Sequence, residues 1–62
     1  MMITIYTGER VTVGAPAYYA QRDKAERIAA QQRQLGKGGH CRWADDYNDH
    51  SATGHFVVTG RA

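Results

Sequence analysis

The feature that most constrains the fold of this chain is one stretch of helical pattern with short strand-like runs on both sides. The helical stretch extends from Asp23 to Leu35, and Gly36 follows it, the residue type that most often ends a helix. A chain of 62 residues buries only about 60% of the surface that its unfolded form exposes, so its core is small. We therefore expect a surface that binds something larger, rather than a deep pocket.

Two alternating runs precede the helical stretch. The residues Ile3 to Ile5 alternate between apolar and polar side chains, and the residues Val11 to Val13 do the same. Turn-forming residues lie between them at Thr7 to Glu9. This pattern predicts a β-hairpin at the start of the chain.

The start of the helix has two interpretations. Pro16 is suited to the first position of a helix, which would then be long. Alternatively, residues 17–20 are extended and the helix begins at Asp23, because Asp23 and Glu26 have the spacing of a capping box. We favour the second interpretation, since a side-chain cap contributes roughly 1 kcal/mol.

The helical stretch has one predicted buried face and one predicted solvent-exposed face. Residues at the three- and four-residue spacing of a helix form the predicted buried face: Ala25, Ile28, Ala29, Gln32 and Leu35. A second, polar stripe is predicted to face solvent: Lys24, Arg27, Gln31 and Gln34. The abundance of alanine on the first face favours close packing of the helix on a sheet.

A second hairpin is predicted after the helix. The residues His40 to Ala44 and the residues His55 to Thr59 read as strands, and their core faces match if Trp43 pairs with Phe56 and Cys41 with Val58. The order of elements is then ββαββ. We expect residues 1–62 to form a single α+β domain, a small two-layer sandwich in which one helix packs across an antiparallel sheet of three or four strands.

The composition indicates a cytoplasmic protein with no membrane association. Cys41 is the single cysteine, which excludes a disulfide within the chain and fits a reducing compartment. The first residues lack the basic and apolar regions of a secretion signal. No run approaches the roughly 20 apolar residues that a spanning helix needs.

The residues that suit metal or nucleophilic chemistry do not have the spacing of a site. His40 and Cys41 are adjacent on a predicted strand and point to opposite faces, and no closely spaced zinc-ligand unit occurs. The alternative is a two-histidine site of His50 and His55 with Asp46 or Asp49. Cys41 is expected beside Trp43 in the core, where a thiolate is disfavoured. We predict no metal, no cofactor and no enzymatic activity.

Exposed aromatic and basic residues are the candidate binding groups. The segment from Arg22 to Arg42 contains six basic and two acidic residues, and Asp45, Asp46 and Asp49 follow it. Tyrosine beside arginine is the usual composition of a protein-binding hot spot. The predicted partner-binding residues are Tyr18, Tyr19, Arg22, Lys24, Arg27, Arg33 and Tyr47.

In layout the chain resembles small phage-encoded anti-CRISPR proteins that act on type I systems. The resemblance lies in the compact ββαββ order, in Lys24-Ala25-Glu26-Arg27-Ile28-Ala29 on the helix, and in the closing strand Gly54-His55-Phe56-Val57-Val58. It implies a non-enzymatic inhibitor, located in the host cytoplasm if the chain is phage-encoded, that binds a host protein complex and blocks recognition of target DNA. The net charge of +2 departs from the acidic, DNA-mimicking members of this group.

Two further hypotheses fit the same residues. A small nucleic-acid-binding protein would use the basic residues of the α-helix and its flanking segments, and its affinity for nucleic acid would fall steeply with salt. A homodimer would bury apolar area that so small a core lacks, at a sheet edge or on a helix face.

Overall fold

One helix and four strands make up the part of the chain that the structure describes. The computed structural model describes residues 1–46 and 52–62. They form β1 (Met2–Thr7), β2 (Val11–Thr12), α1 (Pro16–Gln34), β3 (His40–Asp45) and β4 (Thr53–Arg61). The helix packs on one face of an antiparallel four-stranded sheet, which confirms the predicted α+β fold and its ββαββ order.

Strand β4 lies at the centre of the sheet and organises it. Strands β1 and β2 pair with successive parts of β4 along one edge, and β3 pairs with the other edge. The predicted hairpin between the first two strands is therefore wrong, because both pair with β4. The physical reason is burial: β4 carries Phe56 and Val58, and pairing along it places the first strands beside this core.

The predicted second hairpin is confirmed residue by residue. Trp43 lies opposite Phe56 and Cys41 opposite Val58, in an antiparallel register that runs without interruption from His40 to Asp45. These four residues face α1, where they meet its buried side. The following residues, 47–51, fall outside the described part of the chain, and with them Asp49 and His50.

The helix begins at Pro16 and not at Asp23, so the favoured interpretation of its start is wrong. Ala15 is extended, as expected before a proline, and Pro16 occupies the start of the helix. Tyr18 and Gln21 fall on the same side of α1 as Ala25, and the Tyr18 ring packs on the core. Asp23 lies two turns inside the helix and is exposed. Tertiary packing of the first two turns outweighs the local capping signal.

The end of α1 matches the prediction at Gly36 and departs from it at Leu35. Gly36 adopts a left-handed φ of 74°, and its amide donates to the Arg33 carbonyl at 3.0 Å. The Lys37 amide donates to the Gln32 carbonyl at 2.8 Å, which completes a Schellman motif. Leu35, predicted to be buried, is 61% exposed because the helix ends before its side chain reaches the sheet.

A small core lies between α1 and the centre of the sheet. Ala25 and Ala29 have no exposed surface, and they pack with Phe56 and Val58 of β4. Gly39 lies directly beneath the helix: a Cβ atom there would be 2.2 Å from the Ala29 carbonyl oxygen. Small residues on both layers thus let the helix backbone approach the sheet closely, which places its first turns over Trp43.

Candidate interaction surface

An aromatic cluster anchors the first turns of α1 on the sheet. The Tyr18 ring lies 5.3 Å from the Trp43 ring and 5.2 Å from the Phe56 ring, and these two rings are 5.0 Å apart. Phe56 is buried, whereas Tyr18 and Trp43 are half-buried. Ring–ring contacts of this kind favour particular relative orientations, and they stabilise the cluster beyond the effect of buried area alone. The cluster is therefore a rigid support for Tyr19, the residue that follows Tyr18 in the helix.

Tyr19 and Arg22 extend this cluster into solvent. Tyr19 is 49% exposed, and its ring meets that of Tyr18 edge-to-face at 5.2 Å. The guanidinium carbon of Arg22 lies 5.2 Å from the centroid of the Tyr19 ring. A guanidinium over a tyrosine face is attracted by the ring quadrupole, and the contact also restricts both side chains. A large aromatic group and a cation are thus presented together before any partner arrives.

Two further charged residues lie on the same side of α1 as Tyr19 and Arg22. Glu26 and Arg33 follow Arg22 at spacings that place all three side chains on one side of the helix. The Arg33 guanidinium donates to the Gly39 carbonyl at 2.9 Å, so this side of the helix overlooks β3. We call the surface formed by Tyr19, Arg22, Glu26, Arg33 and Trp43 the β3-side surface.

The other predicted binding residues lie elsewhere. Tyr18 faces the core cluster, and Lys24 lies on the opposite side of the helix, its ammonium 5.4 Å from the Tyr6 ring. Arg27 is exposed on the outer side of α1, away from the sheet. Tyr47 lies outside the described residues. The structure therefore brings Tyr19, Arg22 and Arg33 together and separates Lys24 and Arg27 from them.

Cys41 lies beneath the β3-side surface as a half-buried, free thiol. Burial raises its pKa above the ordinary value, the Glu26 carboxylate adds to this, and the Arg33 guanidinium opposes it. Because the thiolate is the reactive form, we expect slow alkylation by iodoacetamide at pH 7.5 in the folded protein. Unfolding in concentrated urea should accelerate the reaction several-fold, measured by mass spectrometry. Equal rates in both states would contradict this environment for the thiol.

The face of the sheet that α1 leaves uncovered carries mainly polar and basic side chains. The β3 and β4 residues that alternate with the core-facing ones are His40, Arg42, Ala44, His55, Val57 and Thr59, of which Val57 is buried. At one end the Arg10 Nε atom donates to the Asp46 carboxylate at 2.5 Å. A hydrogen bond from Thr53, together with Arg10, holds the pKa of Asp46 below its usual range. The acidic group at this end is thus already partnered.

Sequence reasoning placed Trp43 in the core alone and did not find the Arg10–Asp46 pair. Trp43 contributes both to the core and to the β3-side surface, because β3 is an edge strand and leaves one side of the indole accessible. Arg10 and Asp46 are far apart in sequence and meet only through the pairing of β2 and β3 with β4. Alternation along the last two strands indicates which residues share the uncovered face.

Cavities, metal-ligand clusters and membrane-spanning helices were looked for in the part of the chain that the structure describes. Residues 1–46 and 52–62 enclose no cavity, and they bring together no cluster of three or more groups that could hold a metal ion. Within the same residues, no helix is both long enough and apolar enough to cross a membrane. Comparison with protein-family models, with curated proteins and with solved structures found no match to this chain.

Proposed function

We propose that this chain is a non-enzymatic protein-binding module that acts through the β3-side surface. The observation that carries this proposal is the exposed stack of Tyr19 and Arg22 on a fixed aromatic base. Tyrosine, tryptophan and arginine are the side chains that most often dominate the energy of protein interfaces. Side chains already held in one conformation lose less entropy on binding than mobile ones.

The chemistry of the surface indicates what partner it fits. It offers two guanidinium groups, Arg22 and Arg33, beside one carboxylate, Glu26, and the edges of two aromatic rings. A complementary partner surface is acidic with an apolar centre. The layout resemblance supplies the partner to test first, a type I CRISPR surveillance complex whose recognition of target DNA the chain would block.

Substitution of the stack tests this function. The double variant Tyr19→Ala/Arg22→Ala should bind a purified surveillance complex at least about 30-fold more weakly, since the loss of even one interface hot spot costs about 2 kcal/mol or more. Both side chains lie outside the core, so the variant should keep its fold. Binding is measured by biolayer interferometry on immobilised complex, and folding by circular dichroism.

Arg27→Ala is the matched control, because it removes an exposed arginine from the outer side of the same helix. It should bind as the unchanged chain does. Equal affinity of the double variant and the control would overturn the role of the β3-side surface. Failure of the unchanged chain to bind the complex, or to prevent its binding to target DNA, would overturn the assignment of that partner.

Nucleic acid binding is a second candidate, and the uncovered face of the sheet favours it. Arg42 lies there between His40 and His55, while the carboxylate of Asp46 is held by Arg10. Contacts to phosphates release counterions, so the logarithm of the binding constant falls linearly with the logarithm of the salt concentration. Binding to a labelled single strand that weakens in this way, and weakens further in the variant Arg42→Ala, would establish this function instead.

A further inference from the structure

Strand β3 has a regular outer edge. Strand β4 is paired on both sides, so β3 lies at one edge of the sheet, and its register with β4 is unbroken from His40 to Asp45. On its outer side β3 pairs with no strand among the described residues. The opposite edge includes β1, whose register is interrupted between Thr4 and Tyr6. A straight edge with unpaired backbone groups accepts a further strand, and an irregular edge does so less well.

The long side chains of α1 extend over the space beside this edge. A strand added to β3 would lie two strand spacings, about 10 Å, from β4. The helix lies mainly over β4, and a helix with average side chains is about 10–12 Å wide, so its side reaches about as far as β3. Tyr19, Arg22 and Arg33 project from this side and are longer than average. They therefore reach towards an added strand.

On the α1 side of the edge, the charges alternate along β3. Arg33 lies at the start of the strand, where its guanidinium donates to the carbonyl just before β3 at 2.9 Å. Glu26 comes next, since its carboxylate adds to burial in raising the pKa of the Cys41 thiol. The half-buried Trp43 follows, and Asp45 ends the strand on the same face. The order along the edge is therefore basic, acidic, aromatic and acidic.

On the uncovered face of the sheet, the same edge is basic. Arg42 points to this face, and His40 lies two residues before it. The carboxylate of Asp46, near the end of the strand, is held by Arg10. A strand beside β3 would thus meet a guanidinium on this face and the alternating charges on the other.

We propose that β3 accepts an extended segment of the partner protein as an additional antiparallel strand. This inference rests on the proposed function, because it names the form of the segment that the β3-side surface holds. Antiparallel pairing continues the pattern of the whole sheet and is slightly more stable per residue than parallel pairing. In strand addition of this kind, main-chain hydrogen bonds supply affinity and alternate side chains supply specificity.

The side chains beside the edge specify the segment, because opposite residues of paired strands share a face. An apolar residue belongs opposite Trp43, and an acidic residue belongs opposite Arg42. A second acidic residue belongs three positions further along, next to Arg33, and a basic residue belongs opposite Asp45. The two positions between the acids are uncharged, since Glu26 lies above one of them. Read along the partner chain, the pattern is basic, any, apolar, acidic, uncharged, uncharged, acidic.

Nuclear magnetic resonance of the isotope-labelled chain tests strand addition with a synthetic peptide. The capped peptide Lys-Thr-Val-Asp-Thr-Thr-Glu carries the pattern, and about 1 mM of it half-fills a site with a binding free energy of about −4 kcal/mol. It should shift the amide signals of β3 and slow hydrogen exchange at alternate β3 residues, whose N–H groups point away from β4. Strand β1 is the matched control, because it also lies at an edge, and its amides should be unaffected.

Methylation of the peptide backbone separates strand addition from simple charge attraction. Only alternate peptide residues direct their N–H groups at β3. Methylating one alternate set of amides should therefore abolish binding, and methylating the other set should leave it. Arg42→Glu should weaken peptide binding about fivefold or more, since a cross-strand pair of opposite charges becomes a pair of like charges. Arg27→Glu, with the same change of charge on the outer side of α1, should leave binding unchanged.

The outcomes separate this inference from the proposed function. Unchanged β3 amides at this peptide concentration, slowed exchange in β1 instead, or equal effects of the two methylated sets would overturn strand addition. A labelled single-stranded DNA that shifts the β3 signals without slowing their exchange, when the peptide does neither, would assign this edge to nucleic acid. If Tyr19→Ala/Arg22→Ala still loses binding to the surveillance complex, the proposed function would survive either result.

Discussion

Replacing Phe56 by alanine is expected to lower the free energy of unfolding by about 3–5 kcal/mol, the range seen for large aromatic side chains removed from cores. Phe56 is only 5% exposed on the central strand, and its ring contacts those of Tyr18 and Trp43. A small domain has a total stability of the same order, about 5–15 kcal/mol at most. We therefore expect a large part of the Phe56→Ala protein to be unfolded at 37 °C, as measured by urea unfolding followed by circular dichroism.

Tyr19→Ala is the control for this prediction, because it removes an aromatic ring from the same cluster at a half-exposed position. Its cost should be about 1 kcal/mol, since it loses mainly one ring contact and one cation–π contact. If the two variants unfolded at the same urea concentration, the cluster would not be the centre of the core. The comparison also tests whether Tyr19→Ala, one of the two changes in the variant used to test binding, leaves the protein folded.

Replacing Gly39 by alanine is expected to destabilise the protein by about 2–3 kcal/mol, because it forces two packed layers apart. The added methyl group would lie 2.2 Å from the Ala29 carbonyl oxygen and 2.8 Å from the Gln32 Cβ atom. Backbone of α1 must move, since the nearest atom belongs to the helix itself. This movement changes the position of the helix over β3, so binding through the β3-side surface should weaken as well. Urea unfolding and interferometry measure the two effects.

Gly14→Ala separates this steric effect from the general cost of replacing glycine. Gly14 has a φ of 89°, and a Cβ atom there meets no other atom within 4 Å. Its replacement should cost about 1 kcal/mol through backbone strain alone. Binding should be unaffected, because the residue lies before the helix and away from β3. A smaller loss of stability in Gly39→Ala than in Gly14→Ala would contradict close contact of the helix with the sheet.

The sequence predicted the second half of the fold more accurately than the first. The pairing of Trp43 with Phe56 follows from alternation, since both strands have one apolar face and a shift by one residue would expose it. Gly36 ends the helix for a local reason as well, because a left-handed residue is needed there. Both predictions depend on residues close together in the chain.

The first half required tertiary information. Val11 and Thr12 form only two pairs, with Gly54 and Thr53, so their partner depends on where the distant strand β4 lies. The first turns of α1 hold their conformation because Tyr18 packs on Trp43 and Phe56, and this outweighs the local cap at Asp23. Contacts between residues far apart in sequence are not encoded in any local pattern.

The candidate site divides in the same way. Composition alone gave the hypothesis that exposed tyrosine and arginine bind a partner, and helical spacing places Tyr19 and Arg22 on one side. Whether that side meets β3, and whether Lys24 and Arg27 belong to it, depends on how the helix is rotated on the sheet. The burial of Ala25 and Ala29 decides that rotation, because these small residues allow the closest approach to β4. The sequence by itself thus determined the chemistry of the surface, and only the packing of the helix on the sheet decided which residues compose it.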